Sequence, residues 1–150
     1  MKKVAFGIVT RQNSQGEDEY LLVSTKKDYG KFTGFYQPPG GHIEEGETEQ
    51  EAVAREILEE VGLIAEPIER FAEVEGDVPD YKVYWWRCKV EDGEIKINET
   101  ELSAANYFSQ DQIKKMNVWP ATKRFFEEHV FSHKEGEQTQ IREANKEVHR

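Results

Sequence analysis

The chain has 150 residues, 37% hydrophobic and 11% aromatic, a composition that fits one folded domain and excludes disorder throughout. Its 30 acidic residues outnumber 20 basic ones, for a net charge of −10. That field repels nucleic-acid phosphate and argues against duplex DNA or RNA as a bulk partner. Cys88 is the only cysteine, which excludes an intrachain disulfide and a cysteine-rich zinc site; in its apolar run it reads as a buried structural thiol.

Residues 4–10 read as a strand, 13–18 as a polar turn and 20–25 as the return strand of a hairpin. A glycine-containing loop at 28–34 leads through Phe35-Tyr36-Gln37 to Pro38-Pro39-Gly40-Gly41, which reads as a tight turn. Residues 48–61 give the strongest helix. Thr48 with Glu51 makes a capping box, and Gly62 is placed to end the helix. Residues 68–75 and 82–90 read as strands, 91–94 as a turn that includes Asp92, and 95–97 and 107–108 as short strands. Residues 111–116 and 121–131 read as helices, the second following Pro120. From Ser132 the chain is polar and balanced in charge, a solvated helix or frayed tail. The expected organisation is one domain at 1–131 and a tail at 132–150. No apolar run approaches the ~20 residues of a membrane span, and residues 4–9, broken by Gly7, are too short for a signal sequence. A cytoplasmic protein with no membrane partner is the expectation.

On a wheel of ~100° per residue, Glu56, Glu59 and Glu60 share one face of the 48–61 helix, beside the apolar stripe of Val53, Ile57 and Val61. Like charges at this spacing destabilise a helix by a few tenths of a kcal/mol per pair, and partial burial makes the repulsion worse. A solvated acidic face is the plain reading of a glutamate-rich helix. A divalent cation is the other, because hard carboxylate oxygens are the ligands that Mg2+ and Mn2+ prefer. Arg55 stands beside the cluster, and Glu47 is its natural partner, a pair that would pin the 41–47 loop over the helix.

The run Gly41-x5-Glu47-x7-Arg55-Glu56-Ile57-x-Glu59-Glu60-x-Gly62-Leu63 resembles the Nudix box at every defined position. The order of flanking elements is similar to the Nudix order across roughly residues 3–131. The resemblance implies an α+β Nudix fold, a mixed sheet between helices carrying a loop–helix–loop metal platform. It implies Mg2+- or Mn2+-dependent hydrolysis of a phosphoanhydride bond in a nucleoside diphosphate linked to another moiety. Carried over, Glu59 and Glu60 are metal ligands, Glu56 is a ligand or the base, the Gly40 carbonyl is a further ligand, and Glu47–Arg55 is a structural ion pair. The family often recruits one more carboxylate from a loop before a late strand. Glu101 is the first choice for it and Glu99 the second.

Phe35, Tyr36, His42, Tyr81 and Trp85 are candidates for holding the nucleotide. Trp85-Trp86 alternates across a strand, so one indole suffices for the core and the other is available to stack on a base. Lys26, Lys27, Lys31 and Arg11 are either a phosphate entry or plain surface. His129 and His133 have the spacing of zinc ligands without a third, and read as an exposed helix end. Pro79 and Tyr81 match downstream features that resemble ADP-ribose pyrophosphatases and dinucleoside-polyphosphate hydrolases respectively, so substrate choice stays open among these and damaged nucleoside triphosphates. A catalytically silent Nudix-fold binding module is the alternative. An isopentenyl-diphosphate isomerase is disfavoured because Cys88 lies mid-strand, far from the box in sequence. The expected partner is a small nucleotide, and the expected state is monomer or homodimer.

Overall fold

The computed structural model describes residues 2–75, 80–91 and 93–131. Pro79, the Asp92 turn and the tail with His133 lie outside the described residues. The chain divides into two compact units, Met1–Trp119 and Pro120–Arg150.

The first unit is built on a six-stranded sheet with strand order β4-β5-β1-β2-β6 and with β3 paired to β1. The strands are β1 (Lys2–Gln12), β2 (Asp18–Thr25), β3 (Gly40–His42), β4 (Ala65–Glu75), β5 (Tyr81–Val90) and β6 (Leu102–Ser109). β1 runs parallel to β5, and the other pairs are antiparallel, so the sheet is mixed. Helix α1 (Glu49–Val61) lies between β3 and β4 in the chain, and α2 (Gln110–Lys115) follows β6. Among the described residues no helix is long and apolar enough to cross a membrane.

β1 and β2 pair only at Thr10–Gln12 with Asp18–Tyr20. Beyond that the two strands part, and the segment expected to be a tight turn fills the gap. Gln37 bridges to Val23, the Gly7 N–H donates to the Pro39 carbonyl at 2.9 Å, and Gly40–His42 then pairs with Val4–Phe6 as β3. A strand this short and rich in glycine has no side-chain alternation to reveal it; its partner on β1 makes it one. The remaining differences are smaller. Residues 95–97 form no strand, although Ile95 and Ile97 pack on the core, and β6 extends well beyond residues 107–108.

α1 begins at Thr48, whose hydroxyl accepts from the Glu51 N–H (3.0 Å) while the Glu51 carboxylate accepts from the Thr48 N–H (2.9 Å). It ends at Gly62, in the left-handed conformation that glycine adopts without strain (φ 72°). Val53, Ile57 and Val61 are fully buried with Ala5, Val9, Leu21, Val23, Tyr84, Trp86 and Cys88. Burial of these three stabilises the docking of α1 by about 2 kcal/mol each. Helix and sheet approach closely at Gly7, where a β-carbon would lie 2.8 Å from Ile57 Cδ1 and 3.0 Å from Val53 Cγ1. Glu49 ties the first turn of α1 to the sheet, accepting from Trp86 Nε1 (2.8 Å) and Arg70 Nε (3.0 Å).

In the second unit, α3 (Pro120–Phe125) opens on proline, whose missing N–H costs nothing at a helix start, and continues as a π-helical segment, Phe126–Phe131. Phe125 stacks on His129 at 4.9 Å and Phe126 meets Phe131 at 5.5 Å.

Candidate active site

β3 brings Gly40 and Gly41 to the side of α1 that carries Glu56 and Glu60. Both positions are tight, Gly40 against β1 and Gly41 against the Glu56 side chain of α1. A β-carbon on Gly40 would lie 2.1 Å from the Ala5 carbonyl oxygen, and one on Gly41 would lie 2.6 Å from the Glu56 carboxyl. Alanine at position 41 must therefore push the Glu56 carboxylate aside. Gly41→Ala is expected to lower kcat roughly tenfold, the scale for a disturbed supporting contact, with α1 intact by circular dichroism; an unchanged kcat would show that the Glu56 position is not critical.

The three box carboxylates sit in different surroundings. Glu60 is 7% exposed, and its Oε1 is a buried oxygen with no hydrogen-bond partner. Burial pushes its carboxyl up to about 9, helped by the hydrogen bond and negative charge of Glu56 and by the charge of Glu101, and opposed by the Gly40 N–H. Glu56 is half-buried; desolvation raises its carboxyl, while its contacts with Glu60 and Arg55 oppose the rise. The two groups share a site that strongly disfavours a pair of negative charges. Glu59 is half-exposed, 3.3 Å from Arg55 Nη1.

Arg55 is the hub of the loop. Its Nε and Nη2 meet the two Glu47 oxygens at 2.6 and 3.0 Å, its Nη2 also donates to the His42 carbonyl at 3.1 Å, and its Nη1 donates to Glu56 Oε1 at 3.0 Å. The Arg55 guanidinium and the Glu44 N–H hold the Glu47 carboxyl down at about 2, and Arg55 itself is raised in return. This two-point fork ties the start of the 41–47 loop and its end to one side chain.

Among the described residues no three carboxylate, imidazole or thiol groups converge at metal-ligand distance. Glu56 and Glu59 each turn an oxygen to Arg55 Nη1. The donor set nonetheless suits a hard divalent cation: carboxylate oxygens on consecutive helical turns, one of them buried, unpartnered and resisting ionisation. A cation would supply the missing partner.

Glu101 lies near enough for its charge to act on Glu60, with its Oε2 accepting from Asn98 Nδ2 at 2.9 Å. Glu99 instead lines a cavity of about 450 Å³ with Lys26, Ile95, Ile97, Leu102 and Ser103.

The five residues considered for nucleotide binding take part in different ring contacts, and one of them is buried. The His42 and Tyr81 rings are 5.9 Å apart, with the Lys2 amine 5.6 Å over Tyr81. Tyr36 meets Phe108 at 5.3 Å. Phe35 belongs to a group with Phe32 and Trp119, which also takes in Tyr29. Trp85 is corrected: it is fully buried, 5.2 Å from Phe6, and offers no open face for a base. Trp86 is not an open platform either, being 8% exposed with its N–H held by Glu49. Sequence reading missed Phe32, three residues before Phe35 in the same loop, and Trp119, which joins them only through the fold. It also missed Asn98, although Asn98-Glu99-Thr100 carries the signature of a side-chain-capped turn.

The chain is 34% identical over 94 residues to the NAD-capped RNA hydrolase NudC of Haemophilus influenzae, an alignment covering 63% of this chain and 36% of that protein. It is 32% identical over 93 residues to the 8-oxo-dGTP diphosphatase of Escherichia coli, covering 61% and 68% respectively. The matched region is thus about a third of the length of NudC. Among solved structures it is similar to a MutT NUDIX hydrolase from Burkholderia pseudomallei, with TM-score 0.71, 21% identity and coverage of 84% of this chain and 95% of that one. The NUDIX domain model matches residues 1–129, which together with the α+β mixed sheet and the glycine-bounded acidic helix places this chain in the Nudix family.

Proposed function

We propose that this chain is a Mg2+- or Mn2+-dependent hydrolase that cleaves a phosphoanhydride bond in a nucleoside diphosphate linked to a further moiety. The observation that carries the reading is the buried, unpartnered Oε1 of Glu60 beside Glu56. An apolar residue would fill that place at lower cost if the helix only had to pack. A silent nucleotide-binding module would gain nothing from such a pair.

Glu60, Glu56 and Glu59 would hold the cation, with the Gly40 carbonyl and Glu101 as further oxygen donors. When bound, the cation neutralises diphosphate charge and acidifies water at the site. The protein's part is positional and protonic. Arg55 fixes the 41–47 loop against α1, Gly41 leaves room for the Glu56 carboxylate, and Glu56 or Glu59 accepts the proton of the attacking water. Glu60 must give up its own proton to serve as a ligand, which ties metal affinity to pH.

The box grips a diphosphate and leaves the attached group to the rest of the fold. The test is therefore a panel of ADP-ribose, a diadenosine polyphosphate, an oxidised dGTP and NAD, scored for phosphate, pyrophosphate or mononucleotide release with Mg2+ or Mn2+. At least one substrate is expected to turn over and to lose at least ~100-fold of its rate in EDTA. Turnover that survives EDTA within about twofold would overturn the metal assignment, and nucleotide binding without turnover of any substrate would favour the silent module.

A further inference from the structure

We propose that Asn98 is a positioning residue that holds the Glu101 carboxylate on the Glu60 side of its loop. The inference rests on the metal-dependent reading above and adds to it a residue outside the box.

The loop that carries Glu101 is fastened to the C-terminal end of α1. The Lys96 N–H donates to the Val61 carbonyl at 2.8 Å and the Asn98 N–H to the Glu60 carbonyl at 2.9 Å. Carbonyls at this end of a helix have no partner within it, so these donors satisfy groups that must otherwise find water. Asn98 therefore takes its place from the backbone of Glu60 itself. From that place its side chain works in two directions. Oδ1 accepts from the Thr100 N–H (3.1 Å) and hydroxyl (2.7 Å), which bends the chain, and Nδ2 donates to Glu101 Oε2 (2.9 Å). The Asn98 carbonyl closes the turn by accepting from the Glu101 and Leu102 N–H groups (3.1 and 2.9 Å), and the Lys26 N–H ties the Glu101 carbonyl to the end of β2 (3.0 Å).

The choice of an amide is the informative point. Glu101 is exposed, so without a partner its side chain is free to turn to solvent. A lysine or arginine could hold it, as Arg55 holds Glu47, but would cancel the charge that a cation needs. An asparagine fixes one oxygen with a neutral donor and brings no positive charge to the site. The unpartnered Oε1 of Glu60 is the independent sign that this corner is built to receive a cation.

The test is Mn2+ affinity of the full chain, read from loss of the free-ion electron paramagnetic resonance signal, for wild type, Asn98→Ala, Asn98→Ser, Glu101→Gln, Asn98→Ala with Glu101→Gln, and Glu60→Gln. Serine can still close a local turn but is too short to reach Glu101, so it separates loss of the turn from loss of the grip. Both Asn98 variants are expected to bind Mn2+ about tenfold more weakly, as for other groups that orient a ligand, with the melting temperature of Asn98→Ser unchanged. The double variant is expected to bind no more weakly than Glu101→Gln alone, because Asn98 acts through that carboxylate. Wild-type affinity in Asn98→Ser, or additive losses in the double variant, overturns the role of Asn98. If Glu60→Gln also binds Mn2+ like wild type, the metal reading falls with it; if only Glu60→Gln is impaired, that reading stands and the Asn98 proposal alone is wrong.

Discussion

Replacing Glu60 by glutamine is expected to abolish function and to stabilise the metal-free protein at the same time. If Glu60 holds the cation as proposed, diphosphate hydrolysis should fall by at least ~100-fold, since a carboxylate oxygen would be replaced by a weakly coordinating amide. Without metal the sign reverses. The folded-state carboxyl of Glu60 is raised from 4.5 to about 9, so between those values the native protein keeps a proton that the unfolded chain releases. Stability then falls as pH rises through that window, because the unfolded state binds fewer protons there. Glutamine mimics the protonated acid, with an N–H to offer Glu56, and does not titrate. The melting temperatures of chelated wild type and Glu60→Gln should nearly coincide at about pH 5 and diverge toward about pH 9, the variant being higher. Added Mg2+ should raise the wild type far more than the variant. A chelated variant that melts below wild type across this range, or that keeps its turnover, would mean that Glu60 is an ordinary structural carboxylate.

The helix could be read from the sequence because its signals are local. Thr48, Glu51 and Gly62 announce its ends, and the stripe of Val53, Ile57 and Val61 fixes its buried face, all within one short stretch governed by local rules. The glutamates next to that stripe violate the same rules, which is what makes them readable as candidates for function. Alternation likewise placed Trp85 and Trp86 on opposite faces of β5. It could not show that both faces are closed, since Phe6 and Glu49 arrive from elsewhere in the chain. Residues 38–41 read as a turn in the sequence because Gly40 and Gly41 become a strand only against β1. The aromatic group of Phe32, Phe35 and Trp119 was equally out of reach, because Trp119 joins the other two from far along the chain through contacts that no periodicity encodes.

Arg55→Lys keeps the charge and tests the geometry. Arg55 meets both oxygens of Glu47, one oxygen each of Glu56 and Glu59, and the His42 carbonyl. A lysine ammonium is a single point with three donors and cannot span a carboxylate on the loop and two on the helix. The 41–47 loop would lose its two-point attachment, and Glu56 and Glu59 would lose the donor that now orders them. Misplacement of reacting groups by about 1 Å costs on the order of 100-fold, so kcat is expected to fall about that far with a smaller change in KM. The melting temperature should fall as well, with a pH dependence opposite to that of Glu60. The Glu47 carboxyl is depressed from 4.5 to about 2 by Arg55, so its contribution is fully present above 4.5 and is lost as pH falls toward 2. The gap between wild type and Arg55→Lys should be widest near neutral pH and should close in acid. The pair is partly solvated and screened by salt, so the gap should also narrow at high ionic strength. If kcat stays within twofold while the melting temperature drops, the fork is a staple for the fold and has no part in arranging the carboxylates.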